Sequence, residues 1–372
     1  MKILHLISSG GMYGAEAVIL NLCGVLEAGQ EHQGVLGVFA NSAQPNVSVH
    51  QAALRISVES HLVPCNGQFD HSVPAAIRDL VRRTGADVVH AHGYKADVYA
   101  WLALRRTRVP LVSTCHTWYD NDFAVRAYGA LDRWVLRSFG GVVAVSDEVR
   151  SRLLRAGVQP QRIHLIRNGI DLRPFAQAEN QRRQRRERGG AFRVGLVGRM
   201  APEKGIDIFL RAASEVLTEY PKTQFIVVGD GPDRSALEQL RTTLGLDDKV
   251  SLPGQRGDMP DFYASIDLLV SASRQEGLPM ALLEGMASGL PVVATAVGQV
   301  PQIIDTDSVG RVVPPEDPSA LAAAIKELLR DSALRQSIGT AGQNRIAAEF
   351  SAHRMAADYL RVYDQALKEI AR

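Results

Sequence analysis

At 372 residues the chain exceeds one ordinary domain, and a prior of roughly 150 residues per domain points to two. Hydrophobic residues make up 46% of it, enough for two cores, and no apolar run reaches the ~18 residues of a membrane-spanning helix. The net charge of +2 hides an asymmetry: residues 1–190 carry 23 Lys and Arg against 16 Asp and Glu, the remainder 19 against 24, so the first half favours an anionic partner.

Lys2 to Ile7 reads as a strand, followed by Ser8-Ser9-Gly10-Gly11-Met12-Tyr13-Gly14-Ala15-Glu16 and a helix to about Ala28. The apolar run Ile3 to Ile7 is too short for a secretory signal, so a cytoplasmic protein is expected. Glycines between a first strand and a first helix let the backbone approach a phosphate, which makes Gly11 and Gly14 candidates. The second strand, Gly34 to Phe39, ends without an acid that could hold a ribose, which argues against a nicotinamide dinucleotide. A glycine loop serving only a tight turn is the plainer alternative. Cys23, Cys65 and Cys115 are scattered, with neither disulfide nor metal spacing, and read as reduced structural thiols.

Helix and strand signals then alternate: Val73–Thr84 helix, Asp87–Ala91 strand, Ala96–Arg106 helix, Val109–Thr114 strand, Phe123–Phe139 helix, Gly141–Val145 strand. This is a parallel sheet wound with helices, an α/β fold. His90 and His92 end one strand and His116 lies just past another, at carboxyl ends where such sheets bind ligands. His5 lies inside the first strand and reads as a packed core residue. Asp120-Asn121-Asp122 and Asp305-Thr306-Asp307 match a short metal-binding pattern, but neither directly follows a clear strand; both read as loop acids, and no metal is expected.

Ile163 to Ile166 and the turn at Arg167–Asp171 close the first sheet, giving a first domain over residues 1–176. Residues 177–190 are polar, with five arginines and no apolar period, and are expected to be a linker. A second domain over 191–351 starts with the strand Phe192–Val197, whose carboxyl end releases Arg199 and Lys204 together. A guanidinium and an ammonium there could neutralise a diphosphate, whereas cations beside a helix start are otherwise disfavoured. Strands at Gln224–Val228, Val250–Leu252 and Asp267–Ser271 follow. Glu276-Gly277-Leu278-Pro279-Met280-Ala281-Leu282-Leu283-Glu284 then places Glu276 in a strand-end loop and Glu284 inside the next helix, with Pro279 at the first helical position. A helix start favours phosphate, and carboxylates beside it make sense if the ligand also carries hydroxyls. The plainer reading is a solvated Glu284 and a helix-start Glu276. Residues 352–372 read as a closing helix with an apolar stripe.

The glycine loop, Asp87 to His92, His116, Arg167 to Asp171, Gly198 to Gly205, Gly229 to Pro232 and above all Glu276 to Glu284 with Gly289 to Thr295 together resemble a family 4 glycosyltransferase of bacterial exopolysaccharide or cell-envelope type. The resemblance implies a GT-B fold, two Rossmann-like domains facing across a cleft, with the terminal helix crossing back to the first. It implies a retaining, metal-independent transfer from a nucleoside-diphosphate sugar to a hydroxyl acceptor, and no cofactor. By position, Arg199 and Lys204 would hold the diphosphate, Glu276 the donor sugar and Glu284 the ribose. Gly277, Leu278 and Pro279 would place backbone amides at sugar and phosphate, His116 would approach the sugar, and the Gly10 to Gly14 loop would close over diphosphate or acceptor. Gly298-Gln299-Val300-Pro301-Gln302 departs from the usual pattern of that family. A lipid-linked glycan acceptor and peripheral contact with anionic membrane fit the basic first half, and no nucleic acid is expected. A GT-B-like epimerase or phosphorylase, or a noncatalytic nucleotide-sugar-binding subunit, would share the fold.

Overall fold

The computed structural model describes residues 1–8, 14–42, 46–67, 69–116, 131–132 and 134–370. The chain divides into unit 1, Met1–Gly169 with Ala352–Arg372, and unit 2, Ile170–Ser351. Among the described residues no helix is long and apolar enough to cross a membrane.

Unit 1 holds seven parallel strands: β1 (Lys2–Ser8), β2 (Gln33–Ala40), β3 (Ser60–Pro64), β4 (Val88–His92), β5 (Leu111–Cys115), β6 (Gly141–Ala144) and β7 (Ile163–Leu165), in the order β3-β2-β1-β4-β5-β6-β7. Helices cover such a sheet on both faces, so its inner strands are buried along their whole length; β4 and β5 are buried throughout, although they carry His90, His92, Ser113 and Thr114. The helix Gly14–Ala28 follows the glycine loop, and the helix Ala352–Ile370 packs against it and over β5 and β6. Gly11, Asp120 to Asp122 and most of the expected helix Phe123–Phe139 lie outside the described residues.

Unit 2 holds β8 (Arg193–Val197), β9 (Gln224–Val228), β10 (Val250–Gly254), β11 (Leu268–Ser271), β12 (Val292–Thr295) and β13 (Arg311–Val313), all parallel, in the order β10-β9-β8-β11-β12-β13. The chain enters and leaves this unit side by side, with the Ile170 amide donating to the Phe350 carbonyl at 2.9 Å and a bridge joining Ile170 to Ser351.

The expected linker is instead a packed element. Residues Ala178–Glu187 form a helix against the helix Met259–Ser265. Three of its four arginines are taken up by buried acceptors: Arg182 donates to the carbonyls of Ser288 at 2.8 Å and Gly289 at 3.1 Å. Arg185 and Arg186 converge on one oxygen of the fully buried Asp267, whose other oxygen takes the Arg193 amide at 2.8 Å. A helix held by charge rather than by an apolar stripe shows no hydrophobic period. Counted by unit, the first carries 21 Lys and Arg against 16 Asp and Glu and the second 21 against 24, so the charge asymmetry persists but is smaller than the halves of the sequence indicate.

Replacing Asp267 by Ala strands two guanidinium groups and one amide. The expected loss is about 3 kcal/mol, the lower end for a broken buried ion pair because Arg186 keeps some contact with water. Urea unfolding read from unit 2 checks this, with Arg183→Ala as a silent control, since Arg183 is exposed on the same helix.

Candidate functional site

In unit 2 the chain builds outward from β8 through β9 to β10, then returns to place β11 on the other side of β8. Loops leaving the carboxyl ends of β8 and β11 therefore diverge, and a crevice opens where open α/β sheets bind ligands. The first loop carries Arg199 and Lys204, the second Ser273 to Pro279.

Two close approaches fix these loops. Gly205 has φ +59°, and a Cβ on it would lie 2.0 Å from the Ala272 carbonyl oxygen, so only glycine lets the Lys204 turn rest against the end of β11. Gly298 has φ +54°, and a Cβ there would lie 2.0 Å from the carbonyl oxygen of Glu276. The neighbouring Gln299 amide donates to the Gly277 carbonyl at 3.1 Å, so the segment after β12 buttresses the glutamate loop. Arg274 stitches the two loops together. Its amide donates to the Glu203 carbonyl, and its guanidinium reaches the Pro202 carbonyl at 2.8 Å, both oxygens of Asp207 at 2.8 Å, and Glu316.

Within this frame the Lys204 ammonium meets a Glu276 carboxylate oxygen at 2.5 Å, and the same oxygen accepts from the Ser273 hydroxyl at 2.7 Å. Ser273 is held in turn by Thr295, whose hydroxyl donates to its carbonyl at 2.6 Å. The Arg199 side chain stands exposed, with no hydrogen bond or ion pair among the described residues. The amides of Gly277 and Leu278 likewise have no acceptor among the described residues, and Pro279 caps the helix Met280–Ala287 rather than occupying its first turn. Glu284 lies one and a half turns in, half-buried, and its Oε2 accepts from the Tyr263 hydroxyl at 2.8 Å. Burial holds its carboxyl above the ordinary range, against the opposing pull of that hydrogen bond. Unit 2 thus brings together Arg199, Lys204, Glu276 and the Gly277–Pro279 backbone. Asp305 lies in a loop, where it pairs with Arg345 at 3.0 Å.

Unit 1 repeats the reversal between β1 and β4, and histidines gather there. His5 and His90 lie side by side in register, and His92 follows on the same face. His5 Nδ1 is 3.1 Å from His92 Nε2, and His92 Nδ1 is 3.2 Å from Nε2 of the half-buried His116 at the carboxyl end of β5. His90 bonds the Tyr363 hydroxyl at 2.7 Å and the Thr114 hydroxyl at 2.8 Å, and Thr114 meets the Tyr359 hydroxyl at 3.0 Å. Burial pushes His5 down to about 3 and His116 to about 4. It also holds His90 and His92 well below the ordinary value, with a smaller contribution from neighbouring rings. Nitrogens of His5, His90 and His92 lie within 4.8 Å of one another, the spacing of a possible metal site. Both nitrogens of His90 and of His92 are already engaged in hydrogen bonds, which leaves His5 Nε2 alone without a partner. Gly14 opens its helix exposed. The three cysteines are free and buried, and burial pushes the Cys23 thiol up to about 12.

Sequence reasoning did not single out Ser273, Arg274 or Tyr263. Ser273 and Arg274 sat in a stretch read only as a turn, and nothing in the sequence links Tyr263 to a glutamate on another helix.

Residues 191–331 match the family described as "Glycosyl transferases group 1", and residues 12–173 the "Glycosyltransferase Family 4". A D-inositol 3-phosphate glycosyltransferase of Salinispora tropica is 33% identical over 323 residues, 78% of this chain and 66% of that protein, so the chain spans just under two thirds of that relative's length. An alpha-D-kanosaminyltransferase of Streptomyces kanamyceticus is 31% identical over 293 residues, covering 74% of this chain and 76% of that one. The fold superposes on Anabaena HepE solved in complex with UDP, with TM-score 0.81, 23% identity and coverage of 97% of this chain and 99% of the other.

Each buried neutral ring takes up a proton on unfolding, because its folded pKa lies below the unfolded value of 6.5. The stability of unit 1 is therefore intact above pH 6.5 and drains away as pH falls towards 4, each ring adding a slope of about 1.4 kcal/mol per pH unit. His5→Phe should reduce that slope by one ring's share, measured as urea midpoints of unit 1 between pH 7 and pH 4.5.

Proposed function

As the chain belongs to the glycosyltransferases of group 1 and family 4, we propose that it moves a sugar from a nucleoside-diphosphate sugar to a hydroxyl acceptor with retention and without a metal. The observation that carries this reading is the convergence, at the strand reversal of unit 2, of two cations, a fixed carboxylate and unsatisfied backbone amides. A diphosphate matches the cations and amides, and sugar hydroxyls match the carboxylate. When the bond between the anomeric carbon and the β-phosphate oxygen breaks, charge gathers on that oxygen. Lys204, Arg199 and the amides at Gly277 and Leu278 stabilise it more in the transition state than in the ground state. The acceptor oxygen bonds the same face of the carbon, and its proton passes to the departing phosphate. Glu276 holds the sugar hydroxyls, Glu284 with Tyr263 the ribose, and His116 contacts the transferred sugar. UDP, bound by the HepE structure, is the first nucleotide to test.

The ion pair sharpens the test of Glu276. Glu276→Ala frees the Lys204 ammonium, so turnover should fall while UDP binds as well as before or more tightly; equal loss of both would sink the assigned role. Arg199→Ala or Lys204→Ala should weaken UDP binding by about 1.5–3 kcal/mol, the scale of a hydrogen bond to a charged group, by calorimetry. Activity should survive EDTA, and its loss with rescue by manganese would return the metal to the mechanism.

A lipid-linked acceptor is the finer part of the proposal, in keeping with polysaccharide or envelope synthesis at the inner face of the membrane. It draws on a patch of unit 1 where Trp134 is 54% exposed and packs edge-on against Trp101 at 5.0 Å, with Leu102 and Leu131 exposed nearby. Arg105 stacks over Trp101, and Arg106 and Arg108 are exposed beside it. Arg137 is not available to this patch, since it binds the Ala156 carbonyl at 2.7 Å, and Arg133 lies outside the described residues. Arg105 to Arg108 precede β5, whereas His116 follows it, so these arginines anchor the protein and do not touch the acceptor. Liposomes containing anionic lipid should co-sediment with the protein at low salt and release it at high salt, each basic residue contributing about 1 kcal/mol. Negligible binding in both conditions, with efficient transfer to a water-soluble acceptor, would remove the membrane.

A further inference from the structure

The row of imidazoles from His5 through His92 to His116 runs from the core of unit 1 to the carboxyl edge of its sheet. We propose that His5 and His92 are positioning residues that fix the tautomer of His116, so that its Nδ1 carries the proton and its Nε2 the lone pair. This deepens the reading above, in which His116 contacts the transferred sugar, and rests on that reading only for its catalytic consequence.

Every ring in the row is neutral at pH 7, and a neutral imidazole has one N–H and one lone pair. Each link needs one of each, so the direction of one hydrogen bond dictates the next. If His5 Nδ1 donates to His92 Nε2, the His92 proton must sit on Nδ1 and be given to His116 Nε2, which leaves the His116 proton on Nδ1. The reverse direction puts a proton on every Nε2. The far end of the row decides between them. His5 Nε2 is fully buried without a hydrogen-bond partner, and His90, the ring beside it, spends both its nitrogens on Tyr363 and Thr114. In the forward direction His5 Nε2 keeps an unpaired lone pair; in the reverse direction it strands an N–H. Among backbone groups, a buried N–H without an acceptor is rarer than an under-satisfied acceptor, and extending that preference to the imidazole selects the forward direction. His116 Nδ1 has no partner among the described residues, so the row ends as a neutral hydrogen-bond donor suited to an oxygen acceptor, such as a hydroxyl oxygen of a sugar.

The tautomer can be read without activity. In protein labelled with ¹⁵N-histidine, the two ring nitrogens of His116, assigned by comparison with His116→Ala, should show a protonated Nδ1 and a bare Nε2 at pH 7. A proton on Nε2 would overturn the proposal, and this measurement needs no core variant. His5→Phe should turn the single tautomer of His116 into a mixture and lower kcat roughly 3- to 10-fold, the value of about one hydrogen bond, with donor KM within about twofold. An unchanged tautomer in His5→Phe would remove His5 from the assignment. If the expected tautomer is found but no nucleotide sugar supports transfer, the positioning stands and the sugar-transfer reading fails.

Discussion

Each sheet reverses its strand order beside its own first strand, and the remaining features of both units follow from that constraint. Parallel strands must be joined by crossovers, so all their carboxyl ends lie along one edge, and loops can part only where successive crossovers take opposite directions. In unit 2 the parted loops would gape without support. Gly205, Gly298 and Arg274 draw them back to a fixed spacing, and that spacing lets a lysine on one loop reach a glutamate on the other.

The disposition of positive charge separates architecture from site. Arg182, Arg185 and Arg186 are committed to buried carbonyls and to Asp267, and Arg274 to two carboxylates and a carbonyl. Lys204 shares its partner with a serine, and Arg199 has none among the described residues. Arg199, uncompensated at the mouth of a crevice, is available to an anion at once, and Lys204 becomes available as Glu276 turns to another partner; the buried arginines have no such exchange open to them. Glu284 shows the same logic with opposite sign, since burial disfavours its charge and one tyrosine hydroxyl offsets only part of that cost.

The inner strands were legible because strands buried on both faces are apolar along most of their length, and the Glu276–Glu284 stretch because a strand, a loop and a proline-led helix follow one another without interruption. The edge strands β3 and β13 were not: Ser60 and His61 face partly outward in one, and the other is three residues long and opens on a charged, half-buried Arg311. The Ala178–Glu187 helix was missed because its partner is a single buried aspartate far along the chain, which leaves no period to read. His5 was recognised as core, but its alignment with His92 and His116 depends on strand order, and β4 neighbours β1 only after two intervening strands have been laid on the other side. The Asp120 pattern and the Gly11 end of the glycine loop lie outside the described residues.

The side-by-side entry and exit of unit 2 at Ile170 and Ser351 makes that unit an interruption in the other one. A ribosome delivers unit 1's seven strands first and the helix Ala352–Ile370, which supplies Tyr359 and Tyr363 to its histidines, only after all of unit 2. During synthesis His90 and Thr114 therefore wait on an uncovered sheet face while the later unit, whose residues are contiguous, is free to complete its fold. The chain is made in one order and must be finished in another, with the core of unit 1 sealed by residues made after the whole of unit 2.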